Sequence, residues 1–184
     1  MGIRKVIALI ALAFVIFGLV FEGILIERSV AEINDCGEAC IDIKQAILGF
    51  EVNDLSIPRN LTIVLMFVFR NPSSLSAYLV NLPFIVEIAG VEIGHGAICC
   101  LPLLIPGNTN VEATGIIQLP FTQIPSLAVN AIREYQKGSV LQYVVRGIVT
   151  LRGSILGVIV PFIPNVTSAF QKQGNFTVSI MPLP

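Results

Sequence analysis

The side chains most able to do chemistry lie between residues 87 and 100. His95 is the only histidine of the chain and stands between two glycines, with Glu87 and Glu92 before it and Cys99 and Cys100 after it. A catalytic histidine needs a positioned partner, and a metal ion needs several ligands from a suitable set. Because the sequence offers neither at a recognisable spacing, we expect His95 to be a partly exposed turn residue without a catalytic role. If it were active, Glu92, Cys99 and Cys100 would be the first residues to examine as its partners.

Other signatures of catalysis or of nucleic-acid binding are absent from the sequence. It contains no Gly-rich phosphate loop, paired carboxylates or Gly-X-Ser-X-Gly motif. Charged residues make up 12% of the chain, and the net charge is −1, so no basic surface is expected to bind nucleic acid. We predict that the protein is not an enzyme and that it holds no cofactor and no metal ion.

The four cysteines allow several interpretations. Cys36 and Cys40 form the segment CGEAC, while Cys99 and Cys100 are neighbours. Adjacent residues of an extended chain point to opposite faces, which disfavours joint metal ligation by Cys99 and Cys100. Disulfide bonds, free buried thiols and a metal site remain as alternatives, and three pairings of the four cysteines exist. We predict a disulfide from the CGEAC segment to Cys99 or Cys100.

An apolar segment near the start predicts a membrane anchor. Residues 6–26 follow Arg4 and Lys5, and as a helix these 21 residues span about 30 Å, the thickness of the hydrocarbon layer. We therefore predict a cytoplasmic N-terminus, a transmembrane helix, a juxtamembrane stalk and one extracytoplasmic domain: 1–5, 6–26, 27–46 and 47–184. The acidic residues of the stalk recur every three or four positions and form either a cation-binding face or a solvated surface. They are Glu32, Asp35, Glu38 and Asp42.

A cleaved secretory signal is the competing interpretation of this segment. Ser29-Val30-Ala31 offers small residues at a cleavage position, but Glu27 and Arg28 lie just before it. The apolar run also exceeds the usual signal core of about 7–15 residues.

Both interpretations place the following domain outside the cell membrane, since the positive residues before the helix outnumber those just after it. Three sequons for N-glycosylation agree with this location, at Asn60, Asn165 and Asn175.

The remainder of the chain predicts an all-β fold. Short β-branched segments separated by Gly, Pro and Asn indicate strands at about 47–56, 60–70, 77–89, 91–98, 109–119, 139–151, 154–162 and 174–182. One helix is expected from Ser126 to Gly138, with Leu127, Ala131 and Tyr135 on its packed face. This pattern favours a two-sheet antiparallel β-sandwich of the fibronectin-III or immunoglobulin kind.

Five residues are expected to shape turns of this sandwich. Asn71-Pro72 follows an apolar run, and it should end the strand because proline lacks an N–H while the asparagine side chain can bond to nearby backbone. Gly90, Gly94 and Gly96 are expected to permit the bends of a hairpin and its exit.

An ordered set of segments resembles one known family. The pieces are LTIVLMFVF running into Asn-Pro, FIVEIAG, IGHG, IPGNTNVEATGIIQLPF and YVVRGIVTLRGSILGVIVPF. Over residues 47–182 this set is similar to the water-stress-and-hypersensitive-response (WHy) domain of the group-2 late embryogenesis abundant, desiccation-related proteins, in which a preceding membrane helix is a familiar arrangement. The resemblance implies a non-catalytic domain that protects proteins or membrane near the cell surface under stress.

Two alternatives accompany this interpretation. A tethered sandwich could assemble through exposed sheet edges with another copy or another envelope protein. A very apolar space between the sheets could instead admit a lipid chain.

Overall fold

A long helix opens the chain. The computed structural model describes residues 3–36, 40–52, 58–138, 140–155, 158–159 and 165–178. Helix α1 (Ile3–Cys36) contains the predicted membrane segment and continues beyond it, and its large apolar side chains between residues 12 and 24 are 53–74% exposed. Within the ranges described, no helix has the combined length and apolar character needed to cross a membrane.

Strands dominate the rest of the described chain. They are β1 (Ile41–Val52), β2 (Pro58–Asn71), β3 (Ala77–Asn81), β4 (Pro83–Ile88), β5 (Val91–Ala97), β6 (Leu103–Ile105), β7 (Thr109–Pro120), β8 (Gln142–Ile155), β9 (Val158–Ile159), β10 (Asn165–Asn175) and β11 (Thr177–Val178). A short 3₁₀ helix (Phe121–Gln123) and helix α2 (Ser126–Gln136) lie between β7 and β8.

The strands form two sheets packed over one apolar core. The first sheet has the order β11-β1-β2-β7. In the second sheet, β8 is the central strand: it pairs along one edge with β4 and β3 and along the other edge with β10. Strand β5 pairs with the outer edge of β4, and β6 pairs with the outer edge of β3. The expected two-sheet sandwich is therefore present. Its described pairs are antiparallel except for β1 with β11, which is parallel. The chain passes from β10 of the second sheet to β11 of the first sheet at Phe176.

Several boundaries differ from those expected. Strand β1 begins at Ile41, inside the predicted stalk, and the expected strand 77–89 is split at the buried Leu82. Strand β10 was not predicted, because Val166 and Phe170 are its only large apolar residues. The predicted packed face of α2 was wrong in part: Ala131 does pack against the core, but Leu127 is 62% exposed, and Ala128 and Ile132 are the buried residues. The side chain of Tyr135 lies outside the described residues. The expected strands 154–162 and 174–182 fall partly outside the described residues.

An aromatic cluster joins the two sheets. The ring of Phe67 on β2 lies 5.1 Å from that of Phe84 on β4 and 6.3 Å from that of Phe170 on β10, measured between centroids. All three side chains are at most 4% exposed. Tilted and edge-on aromatic contacts of this kind add to the apolar burial that stabilises the core.

Three strand glycines make room for these rings. A methyl group on Gly96 would come within 2.6 Å of Phe84, and one on Gly115 would come within 2.7 Å of the same ring. A methyl group on Gly147 would come within 2.6 Å of Phe170. The absence of a side chain at each position therefore permits the aromatic cluster to form.

This finding corrects part of the expected turn set. Gly94 and Gly96 lie inside β5 rather than in a turn. The β4–β5 hairpin turns instead at Ala89 and Gly90, whose φ angles are +53° and +74°. Positive φ at both central residues is typical of a tight type I′ hairpin turn.

The corner after β2 is held by the side chain of Asn71, which is 4% exposed. Its Nδ2 donates hydrogen bonds to the carbonyl oxygens of Leu75 (2.8 Å), Ile105 (3.1 Å) and Pro106 (3.2 Å). Its Oδ1 accepts a hydrogen bond from the backbone N–H of Ser73 at 3.1 Å. The asparagine therefore closes its own turn and also ties that turn to the connection between β6 and β7.

Candidate functional site

His95 lies on β5 with its side chain 71% exposed, and its Nε2 is 2.9 Å from Oε1 of Glu92. Two strands away from β5, on β8, Nη2 of Arg146 donates to Oε2 of Glu87 of β4 at 3.2 Å. The sheet register places His95 and Arg146 on either side of Ile85. The structure thus joins His95 to one of its predicted partners, Glu92, and leaves Glu87 paired with a different residue.

These side chains border an open depression on the outer face of the second sheet. It measures about 560 Å³, and its lining includes Ile85, His95, Arg146, Ile148 and Gln171. Each charge beside it already has an opposite partner at the surface, where such pairs contribute little. The arrangement provides a shallow apolar floor between paired charges, and it lacks the buried, oriented groups that acid–base or nucleophilic catalysis uses.

The cysteines are not arranged as expected. Cys99 and Cys100 are free and exposed, so the predicted disulfide to one of them is wrong. Ile98, which directly precedes them, forms an isolated β-bridge with Gly115 of β7. Cys40 is disulfide-bonded and buried, and the side chain of Cys36 lies outside the described residues. No group of three His, Cys, Asp or Glu residues in the described chain could hold a metal ion.

The acidic residues of the predicted stalk occupy different elements. Glu32 lies on α1 and accepts from Arg28, with Nε and Oε1 2.9 Å apart. Asp42 lies on β1 and accepts a hydrogen bond from the N–H of Ile43 at 2.8 Å. The side chains of Asp35 and Glu38 lie outside the described residues.

The three sequon asparagines differ in exposure. Asn60 is half-buried within β2, where it pairs with strands on both sides. Asn165 and Asn175 are exposed at the two ends of β10, and Oδ1 of Asn165 accepts from Nε of Arg152 at 2.8 Å. Glycan attachment therefore stays a prediction, with Asn165 and Asn175 as its more accessible positions.

Among the described residues, the space between the sheets is nearly filled at the end where β1 begins. At the end of the sandwich where β1 begins, the gap among Ile41, Phe69, Ala77 and Val149 measures about 20 Å³. That is about the room taken by one water molecule. An acyl chain would need the sheets to separate there, so this feature does not favour the lipid-binding alternative.

Two electrostatic features could not be found by reading the sequence. Lys44, Arg70 and Lys172 line one depression of about 240 Å³, although they come from three separate segments. The pKa of Tyr143 is raised above its ordinary value, first because burial disfavours the phenolate and second because Asp42 is negative. Neither arrangement has a local sequence signal, because both depend on pairing between distant strands.

The fold and its surfaces define a two-sheet sandwich with one packed core. No protein-family model and no curated protein matches the chain. A protein from Archaeoglobus fulgidus is similar in structure, with 16% identity over 76% of this chain and 100% of its own, at a TM-score of 0.45. A protein from Arabidopsis thaliana has 19% identity over 77% of this chain and 80% of its own, at 0.41.

A solution structure described as a late embryogenesis abundant protein is also similar. It shares 12% identity over 74% of this chain and 68% of its own length, with a TM-score of 0.31. Values of this size carry no argument about function. The proposals below therefore depend on the residues of this chain.

Proposed function

We propose that this protein is a non-catalytic stress-protection domain of the late embryogenesis abundant kind, which shields proteins or membrane at the cell surface under water or heat stress. The observation that carries the proposal is the position of three glycines in the segments that resemble the WHy domain. Gly96 of IGHG, Gly115 of NVEATG and Gly147 of YVVRG all adjoin the rings of Phe84 or Phe170. The glycines of the segments that resemble the WHy domain thus make room for the rings of the core.

The charged surface supports the same interpretation. His95 and Arg146 are exposed and are each paired with a carboxylate. A shielding protein needs a stable, soluble surface and no reacting centre, because its effect comes from keeping client molecules apart.

The test is a protection assay with the full chain in a mild detergent. A heat-labile client enzyme is dried or heated with the protein, and residual activity and light scattering are measured. An inert protein at equal mass concentration is the control. We expect more residual activity and less scattering than with the control, and equal values would refute the proposal.

We further propose that α1 attaches the domain to the membrane. Support comes from the 21-residue apolar segment behind Arg4 and Lys5 and from the exposed apolar side chains that α1 carries, such as Phe14 and Phe17. Against it stands the finding that no described helix has the properties of a membrane span.

Membrane attachment and its orientation can be measured together. Membranes from expressing cells are washed with alkaline carbonate, and intact cells are treated with protease. We expect the protein to stay with the membranes and its domain to be digested from outside. A chain released by carbonate would refute anchoring, and a mature N-terminus at Glu32 would show a removed signal instead.

Assembly through a sheet edge is a second candidate function. In the described part of the chain, β10 pairs only with β8, so its other edge has no strand partner there. An edge of this kind can pair with a strand of another chain. Light scattering coupled to size exclusion should reveal a dimer if this edge is used, and a monomer at all accessible concentrations would refute self-association.

A further inference from the structure

Three cationic side chains line one depression where strand β1 begins. Lys44 on β1, Arg70 on β2 and Lys172 on β10 line the depression of about 240 Å³, together with Asp42 and Val68. They are three of only eleven lysines and arginines in a chain whose net charge is −1. Their convergence is a property of the fold, since they are far apart in sequence.

The local charge balance is positive. Glu112 neutralises Lys44, with Oε1 2.6 Å from Nζ, and both side chains are about half exposed. Asp42 is the one acidic residue among those that line the depression. Within the described part of the chain, neither Arg70 nor Lys172 takes part in an ion pair. Three positive and two negative charges leave one uncompensated positive charge.

Strand pairing fixes the backbone positions of two of these cations, Lys44 and Arg70. The pairing of β1 with β2 skips from Ile43 to Gln45, so Lys44 is the extra residue of a β-bulge. A bulge of this kind re-aims the side chain of its unpaired residue. Arg70 comes from the end of β2, where it is paired with Asn110 of β7.

We propose that this depression is a binding site for a phosphate group or a similar tetrahedral oxyanion. Guanidinium and ammonium groups are donors without acceptor capacity, and a phosphate oxygen accepts from several of them at once. A carboxylate has fewer oxygens than a phosphate to offer the three cationic side chains that line the depression. The group could come from free phosphate or from a lipid head group, and only the second source rests on the membrane attachment proposed above.

Charge variants test the site in both directions. The full chain in neutral detergent is titrated with sodium phosphate, with chloride at matched ionic strength as reference, and binding is followed by ³¹P NMR. We expect the double variant Arg70→Gln with Lys172→Gln to weaken phosphate affinity about tenfold. The control is Arg133→Gln with Lys137→Gln, which removes the same charge near the end of α2 and should leave the affinity unchanged.

Two single variants keep the test decisive if the double variant does not fold. Glu112→Gln releases Lys44 from its ion pair, and Asp42→Asn removes the opposing carboxylate, so each should strengthen phosphate binding several-fold. The proposal is overturned if these variants leave the affinity unchanged. It is also overturned if the double variant and its α2 control weaken binding equally, because the effect would then be diffuse surface charge.

Vesicle flotation separates the two sources of phosphate. The full chain is mixed with phosphatidylcholine vesicles or with vesicles that also contain phosphatidylglycerol. A preference for anionic vesicles that the double variant loses supports a lipid head group, and equal flotation with both rejects that source. A chain that floats with neither contradicts membrane attachment, while the phosphate titration still decides the site.

Discussion

Replacing Asn71 by alanine should destabilise the sandwich strongly, although the residue lies in a turn. The asparagine amide holds four backbone groups at the corner after β2 and is 4% exposed. Its nitrogen carries two hydrogens for three carbonyl oxygens, so one hydrogen is shared. The substitution Asn71→Ala removes all of these side-chain hydrogen bonds at once.

The size of the effect follows from which groups keep another partner. The carbonyl oxygen of Leu75 still accepts from Oγ of Ser73 at 3.4 Å, and that of Pro106 still accepts from Oγ1 of Thr109 at 2.8 Å. The N–H of Ser73 and the carbonyl oxygen of Ile105 lose their bond to the side chain. A buried polar group left unpaired costs about 1–3 kcal/mol, so for these two groups we expect a loss of about 2–6 kcal/mol. At about 3 °C per kcal/mol for a chain of this size, the melting temperature should fall by about 6–18 °C.

Calorimetry of the full chain in neutral detergent measures this loss. Asn110→Ala is the matched control, because that asparagine is exposed on the neighbouring β7 and should cost less than about 0.5 kcal/mol. Asn71→Asp keeps the shape but aims a carboxylate at three carbonyl oxygens, so at neutral pH it should cost at least as much as alanine. Its cost should shrink in acid, where the protonated carboxyl can donate. Equal melting temperatures for Asn71→Ala and Asn110→Ala would refute the role assigned to this corner.

Three further outcomes follow from the described contacts. Gly96→Ala should destabilise the fold by about 1–3 kcal/mol, because the added methyl group overpacks against Phe84. Gly49→Ala is the control and should cost far less, since its added methyl group would meet its nearest atom at 3.7 Å. Equal losses in thermal melts would contradict the packing role of Gly96. His95→Ala should leave melting temperature and client protection nearly unchanged, since the side chain is 71% exposed, and lost protection with an intact fold would reveal a site there. The raised pKa of Tyr143 favours its neutral form in the fold, so this contribution to stability is complete below about pH 10 and is lost as the pH rises through the raised pKa. Melts of Tyr143→Phe should lack that alkaline loss, and an unaltered pH profile would exclude this residue as its cause.

Local sequence signals were sufficient to predict an element where turn-forming residues bound it in the sequence. Strand β7 was expected at 109–119 and is found at Thr109–Pro120, between two proline-containing turns. The turn at Asn71-Pro72 was expected from the chemistry of those two residues, and Asn71 does bond to nearby backbone. The bonds from Asn71 to Ile105 and Pro106 could not be predicted, because they depend on which loop packs beside the turn.

Other features depend on distant strands and have no local signal. Strand β10 is stabilised by pairing with β8, from Asn165 opposite Arg152 to Asn175 opposite Gln142, and its own sequence is mostly polar. From the sequence alone, Gly96 suggests a bend. The structure shows instead that a side chain at this position would clash with the ring of Phe84 on the neighbouring strand β4. The same limit hides the cationic depression, whose members are distant in sequence.

The two charged depressions of the surface should behave differently toward anions. Beside the larger one, Arg146 and His95 each have a carboxylate partner, so that surface carries no excess positive charge and an anion would have to displace Glu87 or Glu92. The smaller one has one uncompensated positive charge beside the start of β1. Attraction to an oxyanion depends on this excess and on desolvation and not on the number of cations alone. Anion binding should therefore concentrate at the depression beside the start of β1, because the larger depression on the outer face of the second sheet offers an anion no unpaired cation.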